Sequence, residues 1–326
     1  MTELNMLEAI RGALKLEMER DQKTVILGQD IGANGGVFRA TEGLQSEFGV
    51  RRVIDTPLAE GAIVGSALGL AISGLVPIAE IQFLGFAHQA YHQITDQVAR
   101  YRFRSQGHYP LQMTIRAPFG GGVRTPELHS DALEAQFTHC PGLKVVLPSN
   151  PYDAKGLLLS SIRDPDPVLF LEPLRGYRLV RGEVPDGDYT VPLGSASVIR
   201  TGGDVTLIAW SACVQLALEA SDVLAGMGIA TTVVDLRSLV PLDVQTLVDS
   251  VIKTGRAVVI EEASLTGGFG AEIVATICEE ALYDLQAPVR RVSSPDCPYP
   301  LPGSERFYLP TVDDVVRAVQ STLEDN

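Results

Sequence analysis

Runs of basic residues are missing from this 326-residue chain, and acids outnumber bases 40 to 26, for a formal charge of −14. That balance argues against nucleic acid and anionic membrane as partners, and solubility is enough to explain it. The four cysteines, Cys140, Cys213, Cys278 and Cys297, lie far apart with no CxxC spacing. Neither a zinc site nor a disulfide framework is indicated, and four free thiols fit a reducing cytoplasm. The opening stretch MTELNMLEAIRGALKLEMERD carries acids throughout and reads as an amphipathic helix rather than a signal or transit peptide. No GxGxxG leads from a strand into a helix, no GxxxxGK[ST] is present, and no fixed-period repeat is found.

What is present is ordinary globular material, 45% hydrophobic and 20% charged, in a chain long enough for two domains. Residues 61–79 carry no charge and approach the length of a membrane span, but their four glycines, two serines and Pro77 oppose that reading. The better division is a buried helix ending near Gly74 and a buried strand through VPIAEIQF. Gly61, Gly65 and Gly69 share one helical face and allow a close neighbour.

Helix and strand patterns alternate from end to end, the signature of a parallel sheet covered by helices on both faces. A long helix is expected over residues 87–105 and another over HSDALEAQFTHC, residues 129–140. A Gly- and Pro-rich stretch after Arg175 reads as an inter-domain crossing. This gives domains at 1–185 and 203–326 with the crossing at 186–202. The second unit repeats the alternation and closes on a helix with Thr311 as N-cap and Asp314 three residues on.

Three places carry candidate chemistry. Glu60 ends DTPLAE and opens the uncharged stretch, and a carboxylate there is solvated, paired or working. As a structural feature it is a helix N-terminal acid facing the dipole. The loop APFGGGVRTPELHSD crowds polar groups into its second half, and His129 is its residue best suited to proton transfer at neutral pH. His88 and His92 stand i, i+4 with Asp96 one turn on, but with no third ligand they read as helix-surface histidines. GGFGAE at 267–272 reads as a tight turn into a helix.

The segments DTPLAEGAIVGSALGLA, EIQFLGF, FGGGVRTPELHSD, LKVVLPSNPYDAKGLLLSSIRDPDPVLFLEP, VVDLRSLVPLD and KTGRAVVIEEA together resemble the beta subunit of the decarboxylating component of 2-oxo acid dehydrogenase complexes. The resemblance covers nearly the whole chain. It implies a thiamine-diphosphate-binding, transketolase-like α/β fold, with a pyrimidine-binding domain followed by a transketolase C-terminal-like domain. By resemblance, Glu60 hydrogen-bonds the pyrimidine ring nitrogen and promotes the imino form, which removes the acidic thiazolium proton before attack on the keto carbon. Leu58, Gln82 and Phe86 match positions around the pyrimidine, Phe86 standing where many relatives have tyrosine. His129 matches the active-site histidine that bonds the reacting intermediate or the lipoyl group. The neighbours that follow it, HSDALEAQF, depart from the HSQSPEAFF of many relatives.

The family also implies a structural monovalent cation such as K+, with oxygens from Leu111, Met113 and Thr114 and from Ser161, Asp164 and Asp166. No GDG followed about thirty residues later by Asn is present. In the family that magnesium- and diphosphate-binding pattern lies on an alpha subunit. The resemblance therefore implies an α2β2 heterotetramer, inactive without the alpha subunit, that docks on a lipoyl acyltransferase core. Pyruvate is the preferred substrate because of FGGGVRTPELHSD, whereas LTGGFGAEI resembles branched-chain relatives. A non-catalytic assembly subunit is opposed by the joint presence of Glu60, Phe86 and His129. A self-sufficient transketolase-like enzyme is opposed by the missing diphosphate motif.

Overall fold

The computed structural model describes residues 1–125 and 127–324, so Pro126 of the glycine-rich loop lies outside the described residues. The chain opens with β1 (Thr2–Asn5) and the helix Met6–Arg20, whose start is fixed by a reciprocal cap: Glu8 N–H donates to the Asn5 side chain and Asn5 N–H to the Glu8 carboxylate. The first domain then lays down β2 (Thr24–Gln29), β3 (Val53–Thr56), β4 (Val76–Glu80), β5 (Thr114–Phe119), β6 (Lys144–Val146) and β7 (Val168–Pro173). Neighbouring strands among these six are parallel, as the buried apolar runs predict. A return strand, β8 (Arg181–Val184), pairs antiparallel with β1.

The second domain contains β9 (Ser197–Arg200), β10 (Val205–Ala209), β11 (Thr231–Asp235), β12 (Ser238–Val240), β13 (Ala257–Ser264) and β14 (Arg290–Ser294). Its sheet runs β14-β13-β10-β11-β9, with β9 antiparallel at the edge. Residues 197–200, within the stretch read as a crossing, are thus a strand of this sheet. β12 leaves it and pairs antiparallel with β6, completing the order β12-β6-β7-β5-β4-β2-β3 in the first domain's sheet. An otherwise open edge of one domain is thereby covered by the other.

Packing ties the two units further. One face of the first sheet buries the helices Met6–Arg20 and Pro151–Arg163. Its other face packs on Glu60–Ile72 and continues without a break into Trp210, Leu236, Val259, Phe269, Ile273 and Ile277 of the second domain. A third core, on the far face of the second sheet, holds the helices Cys213–Gly226 and Val312–Glu324. Thr311 and Asp314 cap the latter reciprocally: each backbone N–H donates to the other's side chain, at 2.9 and 3.3 Å. No helix among the described residues is long and apolar enough to cross a membrane.

Candidate active site

The chain runs from β2 outward to β3, returns across β2 to β4, and continues to β5 on the other side. The strand order reverses between β2 and β4, and in open parallel sheets ligands settle at the carboxyl ends of strands flanking such a reversal. Asp30 follows β2 and Gln82 follows β4; the Gln82 amide donates to the Asp30 carboxylate at 3.0 Å across the gap.

Glu60 is the first residue of the helix Glu60–Ile72, which has no side-chain cap from Ala59. It is 6% exposed, and among the described residues no protein group bonds its carboxylate. The helix is pressed against the following segment at Gly61, where a Cβ would come within 3.1 Å of the Gln89 carbonyl oxygen. At Gly65 the nearest atom is 3.8 Å away, and at Gly69 nothing lies within 4 Å, so only the first part of the small-residue face meets a neighbour. Leu58, two residues before Glu60, is 70% exposed.

Residues 87–105 do not form one α-helix. The chain runs as a tight 3-10 turn over Leu84–Ala90, a widened π turn over Gln93–Val98 and a short α-turn over Tyr101–Arg104. Changes of helical pitch of this kind shift side chains off the regular register and occur often at functional sites. The tight turn carries Phe83 and Phe86 to His129, with ring centroids 4.5 and 5.0 Å from the imidazole, both edge-on. A Cβ on Gly85 would lie 2.0 Å from the Leu128 carbonyl oxygen, so only glycine lets the two turns touch. His129 Nδ1 is buried and has no hydrogen-bond partner among the described residues.

The helix expected over 129–140 is shorter. Glu127–His129 forms a single 3-10 turn, and the α-helix covers Glu134–Thr138. Ser130 is fully buried with its hydroxyl 2.5 Å from that of Thr125, which closes the chain into a loop where a helix would have carried it away. His88 bonds Gln136 at 2.9 Å, and no cluster of three or more metal-ligating side chains occurs among the described residues.

A family model described as the transketolase pyrimidine-binding domain matches residues 2–179, and one described as the transketolase C-terminal domain matches residues 194–315. The pyruvate dehydrogenase E1 component subunit beta of Staphylococcus epidermidis is 51% identical over 324 residues, spanning 99% of this chain and 100% of the relative. Its counterpart from Staphylococcus aureus is 50% identical over the same span. The chain belongs to this beta-subunit family. A solved chain described as a split gene transketolase, inactive beta4 tetramer, superposes with a TM-score of 0.82 at 27% identity, covering 98% of each chain. The transketolase-like fold expected from the sequence is the one observed.

In this member of the beta-subunit family, one buried cluster beside the site is absent from the sequence expectations. Arg116 on β5 sits opposite Glu80 of β4 and donates to it at 2.7 Å, while two further bonds of 2.6 and 3.0 Å reach Glu172 on β7. The Tyr177 hydroxyl donates to Glu172 as well. Burial raises the Glu80 pKa, against the pull of Arg116. Burial disfavours the Arg116 charge, but Glu172 and Glu80 outweigh it and its pKa rises. A signal does exist: a charged residue stands in each of three neighbouring strands that are otherwise apolar, and a buried charge requires a partner.

The two segments expected to hold a cation do meet. Leu111 N–H donates to the Pro165 carbonyl at 2.9 Å, and the Gln112 amide to the Ile162 carbonyl at 2.9 Å. Both carboxylates are taken, Asp164 by Lys144 at 2.7 Å and Asp166 by Arg102 at 2.7 Å. The turn at GGFGAE is also filled from within: Gly270 N–H donates to Glu261 at 2.9 Å.

Proposed function

We propose that this chain is the catalytic beta subunit of a thiamine-diphosphate-dependent pyruvate dehydrogenase, active only with an alpha subunit in an α2β2 heterotetramer. The observation that carries this reading is His129 Nδ1, buried with no partner among the described residues, on a turn packed against the segment that also meets the helix headed by Glu60, whose carboxylate no protein group among them bonds. Buried polar groups are nearly always bonded, so a buried Nδ1 without a partner is what a bound ligand would complete.

These residues fit the pyrimidine half of thiamine diphosphate, which, when bound, supplies a thiazolium electron sink for decarboxylation. Glu60, at the positive end of its helix, holds and shares a proton at the pyrimidine ring nitrogen. Phe86 offers an aromatic face, and Leu58 and Gln82 border the ring. The rings of Phe83 and Phe86 fix the imidazole of His129, whose Nδ1 would bond the substrate or the incoming lipoyl group. Magnesium and the diphosphate fall to the alpha subunit, since this chain lacks their motif.

The likeness to a beta4 tetramer described as inactive favours a requirement for a second kind of subunit. The further partner is the lipoyl acyltransferase core, and the compartment is the cytoplasm. A structural K+ between residues 111–114 and 161–166 rests on main-chain carbonyls and on Thr114, whose buried hydroxyl has no partner among the described residues. Asp164 and Asp166 are carried as ligands through their main-chain carbonyls, since their carboxylates are paired with Lys144 and Arg102.

The test is co-expression with the alpha-type subunit and assay of decarboxylation of pyruvate and 3-methyl-2-oxobutanoate, beside each subunit alone. Activity confined to the mixture, with pyruvate preferred, is the expected result. Preference for the branched acid would reassign the complex, and activity by the isolated chain would overturn the split site.

A further inference from the structure

The three consecutive glycines of FGGGVRT are explained by the second domain. Gly120 and Gly122 adopt left-handed backbone, with φ of +83° and +85°. Between them, a Cβ on Gly121 would stand 2.0 Å from the Tyr299 hydroxyl oxygen. This geometry turns successive peptide N–H groups toward two carboxylates from far along the chain. Gly121 N–H donates to Glu262. Gly122 and Arg124 N–H both donate to one oxygen of Glu305, at 3.0 and 3.1 Å, and the Tyr299 hydroxyl adds a third donor at 2.6 Å. Glu305 is 7% exposed, and Tyr299 is braced by Tyr308 with ring centroids 4.9 Å apart.

Adjacent acids on β13 divide this work, as the two-residue period of a strand requires. Glu261 faces the helix beginning at Gly270, and Glu262 faces the loop. Within the five-residue stretch 120–124, three peptide N–H groups donate to carboxyl oxygens. The stretch ends five residues before His129. Beyond it, the Thr125–Ser130 hydroxyl pair closes the chain and the Leu128 carbonyl rests on Gly85.

We propose that Glu262 and Glu305 of the second domain are positioning residues, which clamp the 120–124 loop so that His129 is held at the reacting atoms. This rests on the reading of His129 given above. Neither carboxylate touches the site; each acts through the loop. Misplacement of a reacting group by about 1 Å costs up to roughly a hundredfold in rate, so the clamp is expected to act on turnover and not on cofactor affinity.

The experiment uses the reconstituted heterotetramer with pyruvate and a lipoyl domain, comparing Glu262→Ala, Glu305→Ala, Glu305→Gln and His129→Ala. The clamp predicts that both carboxylate-to-alanine variants lose about ten- to a hundredfold in kcat, with KM for pyruvate and thiamine diphosphate affinity unchanged. Glu305→Gln keeps an acceptor oxygen and recovers most of the loss. Wild-type kcat in both alanine variants, beside an impaired His129→Ala, overturns the clamp alone. Wild-type kcat in His129→Ala overturns the reading of His129 instead. Hydrogen exchange of the peptide 119–125 in the unmutated tetramer is an independent check should a variant fail to assemble. Protected amides at Gly121, Gly122 and Arg124 support the clamp, and free exchange there overturns it.

Discussion

Glu60 and Glu80 lie near the carboxyl edge of one parallel sheet and are equally buried, each 6% exposed. Glu80 has a guanidinium at 2.7 Å, shared with Glu172, inside a cluster that needs nothing from outside the chain. Glu60 has no partner among the described residues and stands at the start of a helix without a side-chain cap. The residues are equally covered, but among the described residues the Glu80 carboxylate is bonded inside the chain and the Glu60 carboxylate is not. An unpaired carboxylate whose oxygens reach solvent at the start of a helix is open to a group from outside the chain, as the reading proposed above requires. A satisfied cluster like that around Arg116 is explained by the fold alone, and its loss is read in stability.

The comparison breaks most readily at Glu60. Glu60→Gln in the heterotetramer is expected to lower pyruvate turnover by roughly a thousandfold, within the range for a lost proton-transfer group. The midpoint of denaturant unfolding should barely move. A variant with wild-type turnover would make Glu60 a helix-end acid and nothing more.

Arg116→Met is the complementary change. It strands two buried carboxylates, and removing one partner of a buried ion pair costs about 3–5 kcal/mol. Chemical denaturation of the isolated chain measures this loss. A small effect there would mean that the cluster relaxes toward water and is less sealed than its geometry implies.

Gly85→Ala tests whether the two turns must touch. Its Cβ would overlap the Leu128 carbonyl oxygen, pushing His129 away from Phe83 and Phe86. Lipoyl acylation is expected to fall by about tenfold while the fold survives by circular dichroism. Unchanged acylation would separate the histidine from the aromatic pair.

The smallest effect concerns pH. Burial pushes the carboxyls of Asp235 and Glu261 up to about 7, and desolvation does the same for Glu262. Between the ordinary carboxylate range near ~4 and about 7, the native chain holds protons that the unfolded chain has released. The contribution to stability is complete below that range and is lost as pH rises through about 7. Thermal unfolding should therefore occur at lower temperature at pH 8 than at pH 5.5, and the difference should shrink in Asp235→Asn.

Much of this is legible from residue order. Alternating apolar runs of strand and helix length define the layered α/β architecture, and the uncharged stretch behind Glu60 marks it as unusual. What stays hidden depends on distance along the chain. The helix expected over 87–105 is broken where Gly61 packs on the Gln89 carbonyl, just after Phe86 meets His129, contacts that periodicity does not encode. β12 looks like a short segment of the second domain until its pairing with β6 is seen. The triple glycine reads as a loop, but its reason lies at Glu262, Tyr299 and Glu305, more than a hundred residues downstream. Arg116 is a different case, because its signal is charge within strands rather than polar residues crowded into a loop.

The most direct test of the central claim is the rate at which the acidic thiazolium proton exchanges for deuterium in thiamine diphosphate bound to the reconstituted heterotetramer, measured for the unmutated protein and for Glu60→Gln. Exchange is expected to be rapid in the former and slowed by at least about a hundredfold in the latter, with the cofactor still bound. Equal rates would contradict the role proposed for Glu60, leaving it a helix-end acid.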